Sequence, residues 1–156
     1  MRASVEEPHL TAWRALLSAH AVLVGRVEEA LAEASLPPLT WYDVLWAIRR
    51  VPGRRIRMAE LAESLTISRG GLTKLFDRLE SAGLVRRERA ADDGRSVFAV
   101  ITPAGNRMLR RMWPVYARVL REAFVSAVSP REATTIGAAL GRATDATRHL
   151  TERRPA

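Results

Sequence analysis

The stretch from Met58 to Thr102 decides the fold, and it reads MAELAESLTISRGGLTKLFDRLESAGLVRRERAADDGRSVFAVIT. Apolar residues recur at helical spacing in its first eight positions, so residues 58–65 predict a short amphipathic helix. A second helix is predicted to begin at Ser68, a residue type that caps helix N-termini, and to end at Gly83, a residue type that ends helices. Two β-like runs follow on either side of a charged loop, and they predict a hairpin.

The second of these helices has an apolar side and a basic side. Its apolar positions at helical spacing are Leu72, Leu75, Phe76 and Leu79. Its basic residues off that face are Arg69, Lys74 and Arg78. Two short helices joined by a tight turn, the second of them basic, are typical of a helix-turn-helix that binds DNA. The hairpin that follows makes the motif a winged one.

The stretch also resembles the MarR (multiple antibiotic resistance regulator) family of winged helix-turn-helix regulators. The matching motifs, in chain order, are Glu60-Leu61-Ala62, Ser68, Asp77-Arg78-Leu79-Glu80, Gly83-Leu84-Val85-Arg86-Arg87, Asp93-Gly94-Arg95 and Ile101-Thr102-Pro103-Ala104-Gly105. Their order and spacing agree with the family throughout. The resemblance implies double-stranded DNA as partner and a two-fold homodimer in which the first and the last two helices interlock. For many such regulators it also implies release from DNA by a small, often aromatic or anionic, molecule.

The remaining chain is predicted to be helical, so we expect a mainly α fold with a small β-wing. An amphipathic helix is predicted from His9 to about Ser35, and a second helix is predicted to be capped by Thr40. A minimal strand is expected at residues 54–57, next to the wing. The domain prediction is an N-terminal dimerisation helix at 1–35, a winged helix-turn-helix DNA-binding lobe at 36–102 and C-terminal dimerisation helices at 103–156.

Three proline signals mark the C-terminal helices. Thr102-Pro103 and Ser129-Pro130 each predict a helix start, because a capping residue followed by proline favours the first helical turn. Pro114 lies inside the first of these helices and lacks an N–H, so a kink or a break is expected there. The wide apolar stripes on the terminal helices favour burial against a second copy over a monomer that folds back on itself.

Composition narrows the classes of function. The chain has 156 residues, a formal net charge of +8 and no cysteine, which excludes disulfides, thiolate zinc sites and cysteine nucleophiles. The positive charge favours an anionic partner. However, Lys74 is the only lysine and all other basic side chains counted in this charge are arginines, and this bias also fits a GC-rich genome. No catalytic constellation, phosphate loop or metal-ligand spacing is present, so we expect neither an enzyme nor a cofactor. No apolar run is long enough to span a membrane, and a cytoplasmic location is expected.

The DNA-contacting residues are predicted on the second helix and the wing. The helix residues are Ser68, Arg69, Gly70, Gly71, Thr73, Lys74 and Arg78. The wing residues are Arg87 and Arg95, with Asp93 orienting Arg95, as the resemblance implies. An N-terminal helix segment in the major groove reaches base edges, and a wing arginine reaches the minor groove.

Several of these assignments have alternatives. The Gly70-Gly71 pair predicts close approach of the backbone to DNA, or it reflects only the low cost of glycine in a first turn. Arg78 contacts phosphate or pairs with Asp77 or Glu80. At most one of Arg86 and Arg87 is expected to face DNA, because neighbouring strand residues point to opposite faces.

An effector pocket is predicted on the first two helices. Its candidate residues are Trp13, His20, Trp41, Tyr42 and Trp46. The competing interpretation is that the tryptophans are core residues and that His20 is an interface histidine. The function expected is a homodimeric repressor that binds a pseudo-palindromic operator and is released by a small effector, with an aromatic molecule as the candidate. The alternative is a protein-interaction module or an activator without an effector.

Overall fold

The computed structural model describes residues 5–65, 67–90 and 96–152, with side chains up to residue 148. The chain divides into two compact units, Met1–Val119 and Leu120–Ala156. In the described part, no helix combines the length and the apolar character needed to cross a membrane. The fold is mainly helical with one small sheet, as the sequence predicted.

The first unit begins with two helices. Helix α1 spans Glu7–Glu33 and helix α2 spans Leu39–Arg49. The prediction that Thr40 caps α2 is wrong, because Thr40 lies inside the helix and no side chain of the N-cap residue caps it. The Leu39 N–H instead donates to Glu28 Oε1 at 3.1 Å, so a carboxylate from α1 satisfies an otherwise free donor of α2.

The winged helix-turn-helix follows. Strand β1 spans Arg55–Arg57, helix α3 spans Met58–Leu65 and helix α4 spans Arg69–Ser81. Strands β2 (Val85–Arg89) and β3 (Val97–Ile101) form the wing, and the antiparallel sheet has the order β1-β3-β2. The predicted helix end is confirmed at Gly83, whose φ of +71° is the left-handed conformation that glycine adopts most easily. The strand predicted beside the wing is also confirmed.

Helix α5, Pro103–Leu120, is joined to the wing by a tight contact. Thr102 Oγ1 donates to the Gly83 and Leu84 carbonyls and accepts from the Gly105 N–H at 3.0 Å, so Thr102 caps α5 as predicted. A Cβ at Gly105 would lie 2.1 Å from the Leu84 carbonyl oxygen. Threonine and glycine at this spacing are therefore required by packing between α5 and the start of the wing.

One hydrophobic core holds this unit together. Its fully buried large side chains are Leu31, Val44, Leu45, Ile48, Leu61, Leu72, Phe76, Leu79, Val85 and Met112. They come from α1 to α5 and from the sheet. Because the apolar side of α4 is buried in this core, its opposite side is presented to solvent.

A kink or a break was expected at Pro114; helix α5 continues through this proline to Leu120, so a break does not occur. A π-helical segment, Arg121–Val125, comes after it. Helix α6 spans Pro130–Glu152, and Ser129 exchanges hydrogen bonds with Glu132 at its start, which confirms the predicted beginning. These hydrogen bonds from Ser129 lower the pKa of the Glu132 carboxyl.

Candidate nucleic-acid interface and aromatic cluster

The first turn of α4 is open to solvent and capped by one side chain. Ser68 Oγ accepts from the Gly71 N–H at 3.1 Å, which confirms the predicted cap. A Cβ built at Gly70 would have no heavy atom within 4 Å. Packing inside the protein therefore does not require glycine at position 70, and the backbone of this turn is accessible from outside.

The basic residues of α4 are exposed and have no ion-pair partner in the part of the chain that the structure describes. Arg69, Lys74 and Arg78 form no ion pair or side-chain hydrogen bond with any residue in the described ranges. Thr73, also exposed, donates its hydroxyl to the Arg69 carbonyl at 2.9 Å and keeps its oxygen lone pairs available. Gly70 lies three and four residues before Thr73 and Lys74, so these three positions share one exposed side of the helix.

Arg87 on strand β2 is bound to α4. Its guanidinium pairs with Asp77 at 2.6 Å and also with Glu80, and the Arg87 backbone N–H donates to Glu80 at 2.7 Å. The guanidinium carbon also lies 4.8 Å from the centre of the Phe76 ring. This geometry fits the alternative in which one of the two neighbouring arginines pairs with the body, and it removes Arg87 from the residues we expect to contact DNA.

The contacts of Arg87 also affect the alternative in which Arg78 pairs with a neighbouring carboxylate. Asp77 and Glu80 were its possible internal partners, and both are held by Arg87. Elsewhere in the wing, Arg86 pairs with Glu88, and Arg89 is exposed at the end of β2. The predicted wing-tip residues Asp93 and Arg95 lie outside the described residues, so their roles stay predictions.

An aromatic cluster, defined here as Tyr42, Trp46, Trp113 and Tyr116, joins α2 to α5. The Tyr42 ring lies nearly parallel to Trp46 and to Trp113, with centroid distances of 6.3 and 6.4 Å. Tyr116 makes edge-to-face contacts with both Tyr42 and Trp113, with centroid distances of 5.1 and 6.0 Å. Tyr42 is buried, whereas Trp46 and Trp113 remain 48% and 50% exposed. Half of each indole side chain is therefore open to contact.

Two carboxyl groups lie beside this cluster. Desolvation raises the pKa of Asp43, although the residue as a whole is exposed, and the nearby Glu28 carboxylate raises this pKa further. Desolvation also raises the pKa values of Tyr42 and Tyr116, and the negative charge of Asp43 adds to both shifts. The Asp43 carboxylate therefore interacts electrostatically with both tyrosines of the cluster.

The predicted pocket residues do not all come together. Tyr42 and Trp46 belong to the aromatic cluster, and Trp41 is half-buried against the hydrophobic core. Trp13 and His20 are exposed on α1 and have no ring contact with the cluster within the described ranges. The sequence predicted wide apolar stripes on the terminal helices, but it did not associate Trp113 and Tyr116 of α5 with α2.

Comparisons with known proteins agree with this geometry. The model of the MarR family matches residues 35–96. The transcriptional regulator HosA of Escherichia coli is 35% identical over 99 residues, which cover 62% of this chain and 71% of HosA. The HTH-type transcriptional regulator YkoM of Bacillus subtilis is 32% identical over 94 residues, and the match spans 60% of each chain.

A solved structure resembles nearly the whole chain. It is that of Sco3205, a MarR family transcriptional regulator from Streptomyces coelicolor, in complex with DNA. The two chains superpose with a TM-score of 0.83 at 28% identity, over 94% of this chain and 91% of Sco3205. The similarity therefore includes the terminal helices as well as the winged part.

Proposed function

Because this chain belongs to the MarR family of transcriptional regulators, we propose that it is a homodimeric repressor that binds a pseudo-palindromic operator in double-stranded DNA. Helix α4 enters the major groove, and the wing contacts the adjacent minor groove. A small molecule bound at the aromatic cluster releases the protein from DNA. The proposed place of action is the cytoplasm.

The observation that carries the proposal is the exposed side of α4. Three cations on it, Arg69, Lys74 and Arg78, have no internal ion pair among the described residues. The carboxylates on the same helix are held by Arg87, so they do not neutralise Arg78. A helix that keeps its cations free and its backbone accessible fits a polyanion, because each phosphate that a cation neutralises releases counterions.

The proposal of a homodimer rests on apolar residues that the single chain leaves exposed. In the first unit, Trp13, Leu17 and Val22 on α1 are 58%, 52% and 61% exposed. In the second unit, Ile136 and Leu140 of α6 are exposed at a spacing of four residues, on one side of the helix. A second copy would bury these surfaces, and two copies related by a two-fold axis match a pseudo-palindromic site.

The test is a binding measurement on DNA from upstream of the gene that encodes the chain. Fluorescence anisotropy should give a dissociation constant that weakens steeply with salt, and footprinting should protect two half-sites about 10 bp apart. In vitro transcription from the adjacent promoter should fall when the protein is added. Protection of a single half-site, or equal affinity for unrelated duplexes, would contradict the proposal.

The competing function is a protein-interaction module built on the same scaffold. Such a module has no need of unpaired cations on α4, and its affinity for DNA would be weak and independent of sequence. The homodimer is tested separately by sedimentation of the full chain, because a stable folded monomer at micromolar concentration would exclude it.

A further inference from the structure

The chemical nature of the proposed effector can be inferred from the aromatic cluster and its carboxyl groups. Trp46 lies three residues after Asp43 on α2, so both project from neighbouring positions on one side of that helix. Two half-exposed indoles and an acidic side chain therefore lie on the same part of the surface.

The charge at this place has no internal counterion. Asp43 forms no ion pair or side-chain hydrogen bond with any residue in the described ranges, and Glu28 is used only by the backbone N–H of Leu39. A carboxylate that is partly desolvated and unpaired is stabilised by a cation. Aromatic faces attract cations as well, because the ring quadrupole is negative at the face.

We infer that the aromatic cluster, together with Asp43, binds an organic cation, of the class of hydrophobic ammonium compounds, as the effector that weakens DNA binding. This inference rests on the proposed function, since it specifies the ligand of the proposed effector site. The indoles supply apolar contact and π faces, and Asp43 supplies the opposite charge. An aromatic carboxylate would bring a third negative charge next to Asp43 and Glu28.

The test uses two probes of similar size and opposite charge. Benzyltrimethylammonium and phenylacetate are titrated separately into the full chain by isothermal titration calorimetry. The ammonium compound should bind at least about tenfold more tightly than the carboxylate, because one cation–carboxylate interaction at a partly desolvated site is worth about a factor of ten. It should also weaken DNA binding in a parallel anisotropy assay.

Two variants test the residues. Asp43→Asn should weaken benzyltrimethylammonium binding about tenfold and improve phenylacetate binding, whereas Trp46→Leu should weaken binding of the cation several-fold. Asp145→Asn is the matched control, since it removes the same charge from an exposed position on α6 and should leave both affinities unchanged.

Several results would overturn the inference. These are tighter binding of phenylacetate, an Asp43→Asn variant with unchanged affinity for the cation, or no heat with either probe. If no probe binds and Trp113→Ala dissociates the protein in sedimentation, the rings belong to the contact with a second copy. Release of DNA by phenylacetate alone would reject the cation but keep the proposed function, whereas absence of any DNA binding would reject the proposed function itself.

Discussion

Replacing Gly70 by alanine should stabilise the protein and weaken its binding to DNA. The methyl group would meet no heavy atom of the protein within 4 Å, so it introduces no internal clash. Alanine is favoured over glycine in a helix interior by about 1 kcal/mol. Since Gly70 lies in the first turn of α4, we expect roughly half of that gain in the free energy of unfolding.

The effect on DNA should have the opposite sign. Gly70 shares the exposed side of α4 with Thr73 and Lys74, so an added methyl would stand between the first turn and the DNA. Loss of one hydrogen bond to a charged phosphate costs about 1.5–3 kcal/mol. This corresponds to an increase of roughly 10- to 150-fold in the dissociation constant.

Two assays and one control decide the point. Denaturant unfolding gives the stability, and anisotropy with the operator at one fixed salt concentration gives the affinity. Ser81→Ala raises helix propensity at the far end of α4 without changing the first turn, so it should stabilise the protein and leave affinity unchanged. If Gly70→Ala also leaves affinity unchanged, the glycine serves no close approach, and its low cost in a first turn is the better explanation.

Four further predictions concern single side chains. Arg69→Ala should reduce the difference in binding free energy between operator and nonspecific DNA by about 1–3 kcal/mol, whereas Arg78→Ala should weaken binding to both duplexes by a similar factor. An unchanged difference for Arg69→Ala would show that Arg69 contacts no base. Arg87→Gln should lower the free energy of unfolding by about 1 kcal/mol, since its ion pairs are partly exposed, and should also weaken DNA binding, because Asp77 and Glu80 become free to pair with Arg78; an unchanged affinity would show that Arg87 does not keep Arg78 available. Asp43→Asn should raise the melting temperature at pH 7, because a raised carboxyl pKa means that the charged form destabilises the fold; this gain should vanish as the pH falls below the ordinary carboxyl pKa. Trp13→Glu should place a charge on the apolar side of α1 and shift sedimentation from dimer towards monomer, and an unchanged dimer would remove Trp13 from the interface.

The local features of the winged helix-turn-helix could be predicted because their causes are local. The apolar period of α3, the Ser68 cap and the Gly83 end each depend on a few neighbouring residues, and all three are confirmed. The cap of α2 failed for the converse reason. Its first N–H is satisfied by Glu28, which lies 11 residues away on another helix, and no pattern around Thr40 shows that contact.

The aromatic cluster shows the same limit. Trp46 and Trp113 each have an ordinary helical position in the sequence, and the Tyr42 ring brings them into one group only after α2 packs on α5. Periodicity assigns a residue to one side of its own helix but not to a partner helix. The sequence shows aromatic residues in both helices, but only the tertiary structure shows that they contact one another.

Partners across the fold also decide which arginines are available to DNA. Strand alternation separates Arg86 from Arg87 but does not tell which of them faces the body. The structure shows that Arg87 is the one that faces the body. It binds Asp77 and Glu80, which lie on the same helix as Arg78. Arg87 thus connects the wing to α4 and, by occupying both carboxylates, leaves Arg78 without an ion-pair partner among the described residues. The DNA-facing charge of α4 therefore depends on a residue that we do not expect to touch DNA.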